Sequence, residues 1–140
     1  MKTECEFDIS DVLTKPLFAH LATTSPDGPR ESPIWFLWED NALWFVSTTA
    51  SSFPKRIQND SRCAVGIIDF DANARHLLHV GFRGNATLAE LDNDRLERLL
   101  HRYIGTPTEW DNDFKKNIID NLDLMIKFTP TSIVARDQSY

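Results

Sequence analysis

Residues 77–89 read Leu77-Leu78-His79-Val80-Gly81-Phe82-Arg83-Gly84-Asn85-Ala86-Thr87-Leu88-Ala89, and their alternation decides the fold class. Leu78, Val80, Phe82, Ala86 and Leu88 share one face, with Gly84 among them. His79, Arg83, Asn85 and Thr87 share the other, with Gly81. Side chains along a strand alternate between faces, so this segment predicts a long strand with one face in a core and the other turned outward.

Upstream, residues 63–68 predict another strand, and residues 52–59 a short helix with Pro54 in its first turn. Two aromatic-rich runs, 30–38 and 42–48, are separated by Glu39-Asp40-Asn41, a hairpin signal. The first carries bulky groups on both faces: Ile34, Phe36 and Trp38 on one, Trp35 and Leu37 on the other. Such a strand needs cover twice, by a core and by a ligand or a partner chain. Residues 18–24 predict a first strand, followed by the turn Ser25-Pro26-Asp27-Gly28, and residues 8–13 a short helix ahead of Pro16.

Downstream, Leu96, Leu99, Leu100, Tyr103 and Ile104 form the stripe of an amphipathic helix over 92–104. Asp92 caps it, His101 and Arg102 suit its C-terminal end, and Gly105 and Pro107 stop it. A second helix is expected over 114–122. Strands at 124–128 and 132–135 follow, interrupted by Thr129-Pro130. The order β–β–β–α–β–β–α–α–β–β, with short connections, gives a mainly β, α+β chain: a small antiparallel barrel with peripheral helices.

The 140 residues fit a single domain, 1–140, and 41% apolar content supplies a core. Net charge is −6 with both signs interspersed, which argues against a nucleic-acid surface. Two cysteines, Cys5 and Cys63, make neither a disulfide framework nor a zinc site, and no apolar run reaches membrane-spanning length. The expected compartment is the cytoplasm.

The chemistry concentrates in Ser47-Thr48-Thr49-Ala50-Ser51-Ser52-Phe53-Pro54-Lys55-Arg56. Five hydroxyls leave a strand and run into a helix start with two cations just inside, a pattern suited to phosphate. The same residues would also make an ordinary capping loop. His76 and His79, three apart on a strand, fall on opposite faces, which argues against a metal site. Asp69 and Asp71 read as solvated turn residues.

The ordered set Leu21-Ala22-Thr23 before Pro26-Asp27-Gly28, Ser32-Pro33-Ile34-Trp35-Phe36, Phe45-Val46-Ser47, Ser51-Ser52, Asn59-Asp60-Ser61-Arg62 and the 79–86 strand resembles the pyridoxamine 5'-phosphate oxidase-like family across residues 15–90. The resemblance implies a split β-barrel that binds FMN at a homodimer interface, with a small-molecule substrate. It implies cofactor contacts from Ser32, Pro33, Ile34, Trp35, Phe36, Val46, Ser47, Thr48, Ser51, Ser52 and His79. The family's phosphate-binding lysine falls on Phe53, so Lys55 or Arg56 is expected to supply the positive charge. Strands apolar on both faces then place Trp35 and Leu37 in the dimer contact. The family's C-terminal tryptophan–arginine substrate motif has no counterpart in residues 123–140, so oxidation of pyridoxamine phosphate itself is not implied. A flavin-storing module without turnover, and a barrel holding haem or a deazaflavin, are the alternatives.

Overall fold

The computed structural model describes residues 1–140. Eight strands form one sheet: β1 (Lys2–Cys5), β2 (Ala19–Ser25), β3 (Gly28–Ile34), β4 (Leu37–Glu39), β5 (Ala42–Ser47), β6 (Arg62–Asp71), β7 (His76–Glu90) and β8 (Leu124–Asp137). Four helices accompany them: α1 (Ser10–Leu13), α2 (Phe53–Asn59), α3 (Asn93–Ile104) and α4 (Asn112–Asn117). The strand order is β3-β2-β6-β7-β8-β5-β4, with β1 added in parallel to the far half of β8. The sheet curls around a core but β3 and β4 do not pair, so the barrel is split.

The alternation that opened the sequence reading holds. Leu78, Val80, Phe82 and Ala86 are buried with Leu21, Val65, Ile67, Phe45 and Phe128, while His79 and Arg83 face outward. Asp40 and Asn41 both adopt positive φ (57° and 55°), the left-handed pair of a tight hairpin turn, and join β4 directly to β5.

Three expectations are corrected. The run 30–38 is two strands, broken at Trp35-Phe36 so that the chain can leave the β2 edge for the β5 hairpin. The pair of strands expected at 124–128 and 132–135 is one continuous β8. Pro130 is accommodated opposite Gly84 at the register shift after Arg83, where no ladder donor is needed. Asp69 is no turn residue: it lies on the inward side of β6, 8% exposed, ion-paired with Lys15 and His76.

The second cover of the two-sided strands is also settled. Leu37, Trp44 and Met125 pack against Leu96, Leu99 and Leu100 of α3 in a second apolar cluster, with Trp35 and Phe114 at its margin. Trp35 stacks on Tyr103 at 4.6 Å between ring centroids and 4° between planes. The chain's own helices therefore cover much of the second face of these strands. Leu37, at 7% exposure, has little surface left for a dimer contact. Arg95 clamps this layer from outside, its guanidinium 3.6 Å above the Trp44 ring and paired with Glu39 and Asp40.

Candidate functional site

The hydroxyl-rich segment leaves β5 at the rim of the barrel, and its fold follows from local hydrogen bonds. The Ser51 N–H donates to the Thr48 carbonyl (3.1 Å), and the Thr48 and Ser51 hydroxyls lie 3.2 Å apart. Asp123 holds Thr49 twice, accepting from its N–H and its hydroxyl at 2.9 Å each. Ser47 is buried at the strand end. Thr49 is thus consumed in bracing the loop, and Thr48, Ser51 and Ser52 carry the hydroxyls that remain.

α2 then starts without a side-chain cap. Ser52 sits in helical geometry (φ −81°, ψ −29°), so its hydroxyl does not serve the helix N–H groups and instead accepts from Arg56 Nη1 (2.9 Å). Arg56 Nε donates to Thr23 Oγ1 on β2 (2.8 Å), a residue only 2% exposed. Pro54 and Ile57 are buried, and Phe53 packs against the main core. Lys55 is exposed and makes no side-chain hydrogen bond or ion pair. Helix geometry explains the division: positions 53 and 56 lie within about 60° of one another, whereas 53 and 55 differ by about 200°. With Phe53 turned to the core, Arg56 reaches the loop and Lys55 turns away.

β3 completes this region. Its register sets Arg30 opposite Thr23 and Ser32 opposite Leu21, so Arg30, Ser32 and Ile34 share the face of Thr23. Arg30 escaped the sequence reading; the alternation Arg30-Glu31-Ser32-Pro33-Ile34 carried the signal, because Ser32 cannot face the site without Arg30 doing so. The result is a rim with two guanidiniums, Arg30 and Arg56, and the hydroxyls of Thr23, Ser32, Thr48, Ser51 and Ser52. That donor set matches a phosphate monoester, which is recognised by guanidinium and hydroxyl hydrogen bonds.

The remaining expected residues lie elsewhere. The Phe36 side chain is fully buried and offers no surface to a ligand. Its backbone N–H donates to the Tyr103 hydroxyl (3.0 Å), which in turn donates to the Leu17 carbonyl (2.7 Å). Trp35 and Val46 pack on the α3 side. Pro33 faces outward opposite His20.

His79 occupies a cavity of about 630 Å³ on the outer face of the sheet, with His20, Glu31, Arg83 and Ser132 around it. Its floor is made of small residues: Ala22, Ala64, Gly66 and Gly81. Gly66 and Gly81 are cross-strand partners, and the imidazole lies over both; a methyl on either would stand 3.5–3.7 Å from the ring. His20 pairs with Glu31 at the rim. Ile68 and Phe70 continue this face, 48% and 56% exposed. The sheet therefore separates His79 from the hydroxyl loop: within one chain they lie on opposite faces.

Comparison with known proteins agrees with this architecture. The family model for pyridoxamine 5'-phosphate oxidase matches residues 8–135. A solved structure described as an F420 reductase is 30% identical, with a TM-score of 0.66, covering 89% of this chain and 94% of that one. The conserved hypothetical protein Rv2991 from Mycobacterium tuberculosis superposes with a TM-score of 0.74 at 23% identity, covering 96% of this chain and 85% of its own. A FAD-binding protein from Mesorhizobium loti shares the fold at 15% identity, with a TM-score of 0.64 and coverage of 91% and 89%. No curated protein sequence gives a significant match.

Proposed function

This chain belongs to the pyridoxamine 5'-phosphate oxidase family, and from that premise we propose that it is an FMN-binding oxidoreductase working as a cytoplasmic homodimer with flavin at the subunit interface. The observation that carries the reading is the rim in which Arg56 bonds both Thr23 and Ser52 and the Thr48 and Ser51 hydroxyls pair with each other, with Ser32 and Arg30 on the Thr23 face in register. It has the donors a ribityl phosphate requires and no unpaired carboxylate among them.

When bound, FMN would supply hydride or single-electron transfer between small molecules. The chain's own residues would do the rest. Arg56 and Arg30 neutralise the phosphate, Thr48, Ser51 and Ser52 fix its oxygens, and Asp123 keeps the loop in place through Thr49. Ser32 and Ile34 present the β3 edge to the ring.

The layout of the sheet supports the homodimer reading. A ligand that touches both the hydroxyl loop and His79 needs two chains, because one chain puts them on opposite faces. The flat Gly66–Gly81 floor and exposed Ile68 and Phe70 suit the close approach of a second copy. An obligate contact of that kind buries more than about 2,000 Å². Free Cys5 and Cys63 suit a reducing cytoplasm, and no helix is long and apolar enough to cross a membrane.

A deazaflavin is the second reading, favoured by the 30% identity to a protein described as an F420 reductase. Both cofactors carry a ribityl phosphate, so the rim serves either. Titrating the purified protein with FMN, riboflavin and F420, with light scattering of the complex, tests the proposal. The expected result is FMN bound near one per chain in a dimer, more tightly than riboflavin. F420 binding without FMN binding selects the second reading, and binding of none of the three overturns both.

A further inference from the structure

A second cavity, sharing no lining residue with the His79 cavity, is built where α3 ends. A 3₁₀ turn at Pro107–Glu109 follows that helix and leads into α4. The cavity between them, about 450 Å³, is lined by Trp35, Ile104, Glu109, Trp110, Asp111 and Phe114. Three of these side chains are aromatic, two are carboxylates and none is cationic.

The rings are held in place. Trp35 is stacked on Tyr103, and the Phe114 ring stands 6.2 Å from Trp35 at 41°. The Trp110 indole N–H donates to the Gly105 carbonyl (3.0 Å). All three remain half-buried, so part of the surface they keep is cavity wall. The carboxylates are anchored by one oxygen each: Glu109 Oε2 accepts from the Thr106 N–H (2.7 Å) and Asp111 Oδ2 from the Phe114 N–H (3.0 Å). Oε1 and Oδ1 have no protein partner. Arg102 of α3 lies over Phe36 and Tyr103, Lys115 of α4 pairs with Asp120, and exposed Lys116 does not line the cavity.

Aromatic faces carry negative potential and attract cations, most effectively weakly hydrated ones, and carboxylates add a net charge that rings lack. A cavity walled by both, with no internal cation, is suited to a positive charge spread over methyl groups. We infer that this cavity binds a small substituted ammonium ion, a quaternary or methylated amine. The inference does not depend on the flavin reading, since none of the phosphate-rim residues lines the cavity.

The test compares choline with its neutral isostere 3,3-dimethylbutan-1-ol on the full-length protein at constant ionic strength. Calorimetry is the primary measurement. Tryptophan emission is the second, because two of the four tryptophans line the cavity. Choline should bind at least about tenfold more tightly than the alcohol. Trp110→Leu should weaken choline by about tenfold. Glu109→Gln with Asp111→Asn retains a capping oxygen at both positions, so the fold is kept while the charge is lost. This double variant should weaken choline and leave the alcohol unchanged. No saturable choline binding below about 50 mM, equal affinity for the two probes, or choline affinity indifferent to all these variants would overturn the inference.

Discussion

Replacing Arg56 by alanine separates the phosphate rim from an ordinary capping loop. A guanidinium has five N–H donors; one on Nε and one on Nη1 are used by Thr23 and Ser52, leaving three for a ligand. A charge-assisted hydrogen bond to phosphate contributes about 1.5–3 kcal/mol, so the Kd for FMN should rise by about one to two decades. The substitution also strands the buried Thr23 hydroxyl, which should lower stability by about 1–3 kcal/mol with or without ligand. Riboflavin removes that ambiguity: it lacks the phosphate, and its Kd should change by less than about threefold. Lys55→Ala should leave both ligands within about twofold of wild type, because Lys55 points into solvent. The assay is fluorescence titration of FMN and riboflavin against the three proteins, with thermal melts of each. Equal loss of FMN and riboflavin in Arg56→Ala would mean that Arg56 only supports the fold. An FMN loss confined to Lys55→Ala would refute the helix-geometry argument.

Gly84→Ala should destabilise severely, because the new methyl would overlap the Thr129 carbonyl oxygen and stand 2.8 Å from Pro130 Cα, backbone that cannot yield; a midpoint in urea unchanged from wild type would contradict the packing at the β7–β8 shift. By contrast Gly81→Ala, whose methyl would meet the His79 ring at 3.5 Å and the Val134 carbonyl oxygen at 3.9 Å, both ordinary contacts, should leave the melting temperature of the isolated chain nearly unchanged while weakening the dimer measured by light scattering. Acid should unfold the protein as carboxylates held below their usual range are protonated. Arg62 and Thr24 lower Asp60; Arg98 and Arg95 outweigh burial at Glu39; and at Asp69 burial, which alone would raise it, is outweighed by Lys15 and His76. Their contribution is complete above the unfolded value of about 4 and fades as pH falls below it, so the urea midpoint should drop on passing from pH 5 to pH 3 and drop less in Asp60→Asn. Burial pushes the Cys63 thiol up to about 11. Iodoacetamide at pH 8 should therefore label exposed Cys5 and spare Cys63 until the protein unfolds, as read by mass spectrometry. The same shift predicts that stability falls between about pH 9 and pH 11, where the unfolded thiol ionises and the folded one does not.

Local pattern was a sufficient guide wherever one chain segment determines its own environment. The 77–89 alternation, the Asp92 cap, whose side chain accepts from Asp94 and Arg95, and the left-handed Asp40-Asn41 turn all follow from residues within reach of one another. The hydroxyl loop and the helix after it were legible for the same reason. What escaped depends on distant partners. β1 has no apolar alternation and exists because β8 offers it an edge, Lys2 opposite Ser132. Asp69 was misread as solvated because Lys15, fifty-four positions away, is what neutralises it. The choice between Lys55 and Arg56 required knowing that Phe53 is drawn into the core, and the cover on Trp35 and Leu37 required knowing where α3 docks. His79 was picked out correctly as an outward residue, but nothing local to residues 76–83 says that the hydroxyl loop lies behind the sheet from it.

β8 pairs with β7 along nearly its whole length and with β5 and β1 along its other side, so four strands meet through it. During synthesis this has a cost in time. Until residue 137 has cleared the ribosome, β5 and β7 each present an unpaired edge, and Phe45, Phe82 and Leu78 have no opposing layer from Ile126, Phe128 and Ile133. Every contact β8 makes closes a long loop, the slowest kind of step in folding. The nascent chain therefore waits as an open half-barrel with sticky edges, the state in which strands of neighbouring chains add to one another. A frameshift or stop before residue 124 would leave that state permanent, and the product should be found in inclusion bodies or degraded, even though every residue of the phosphate rim has already been made.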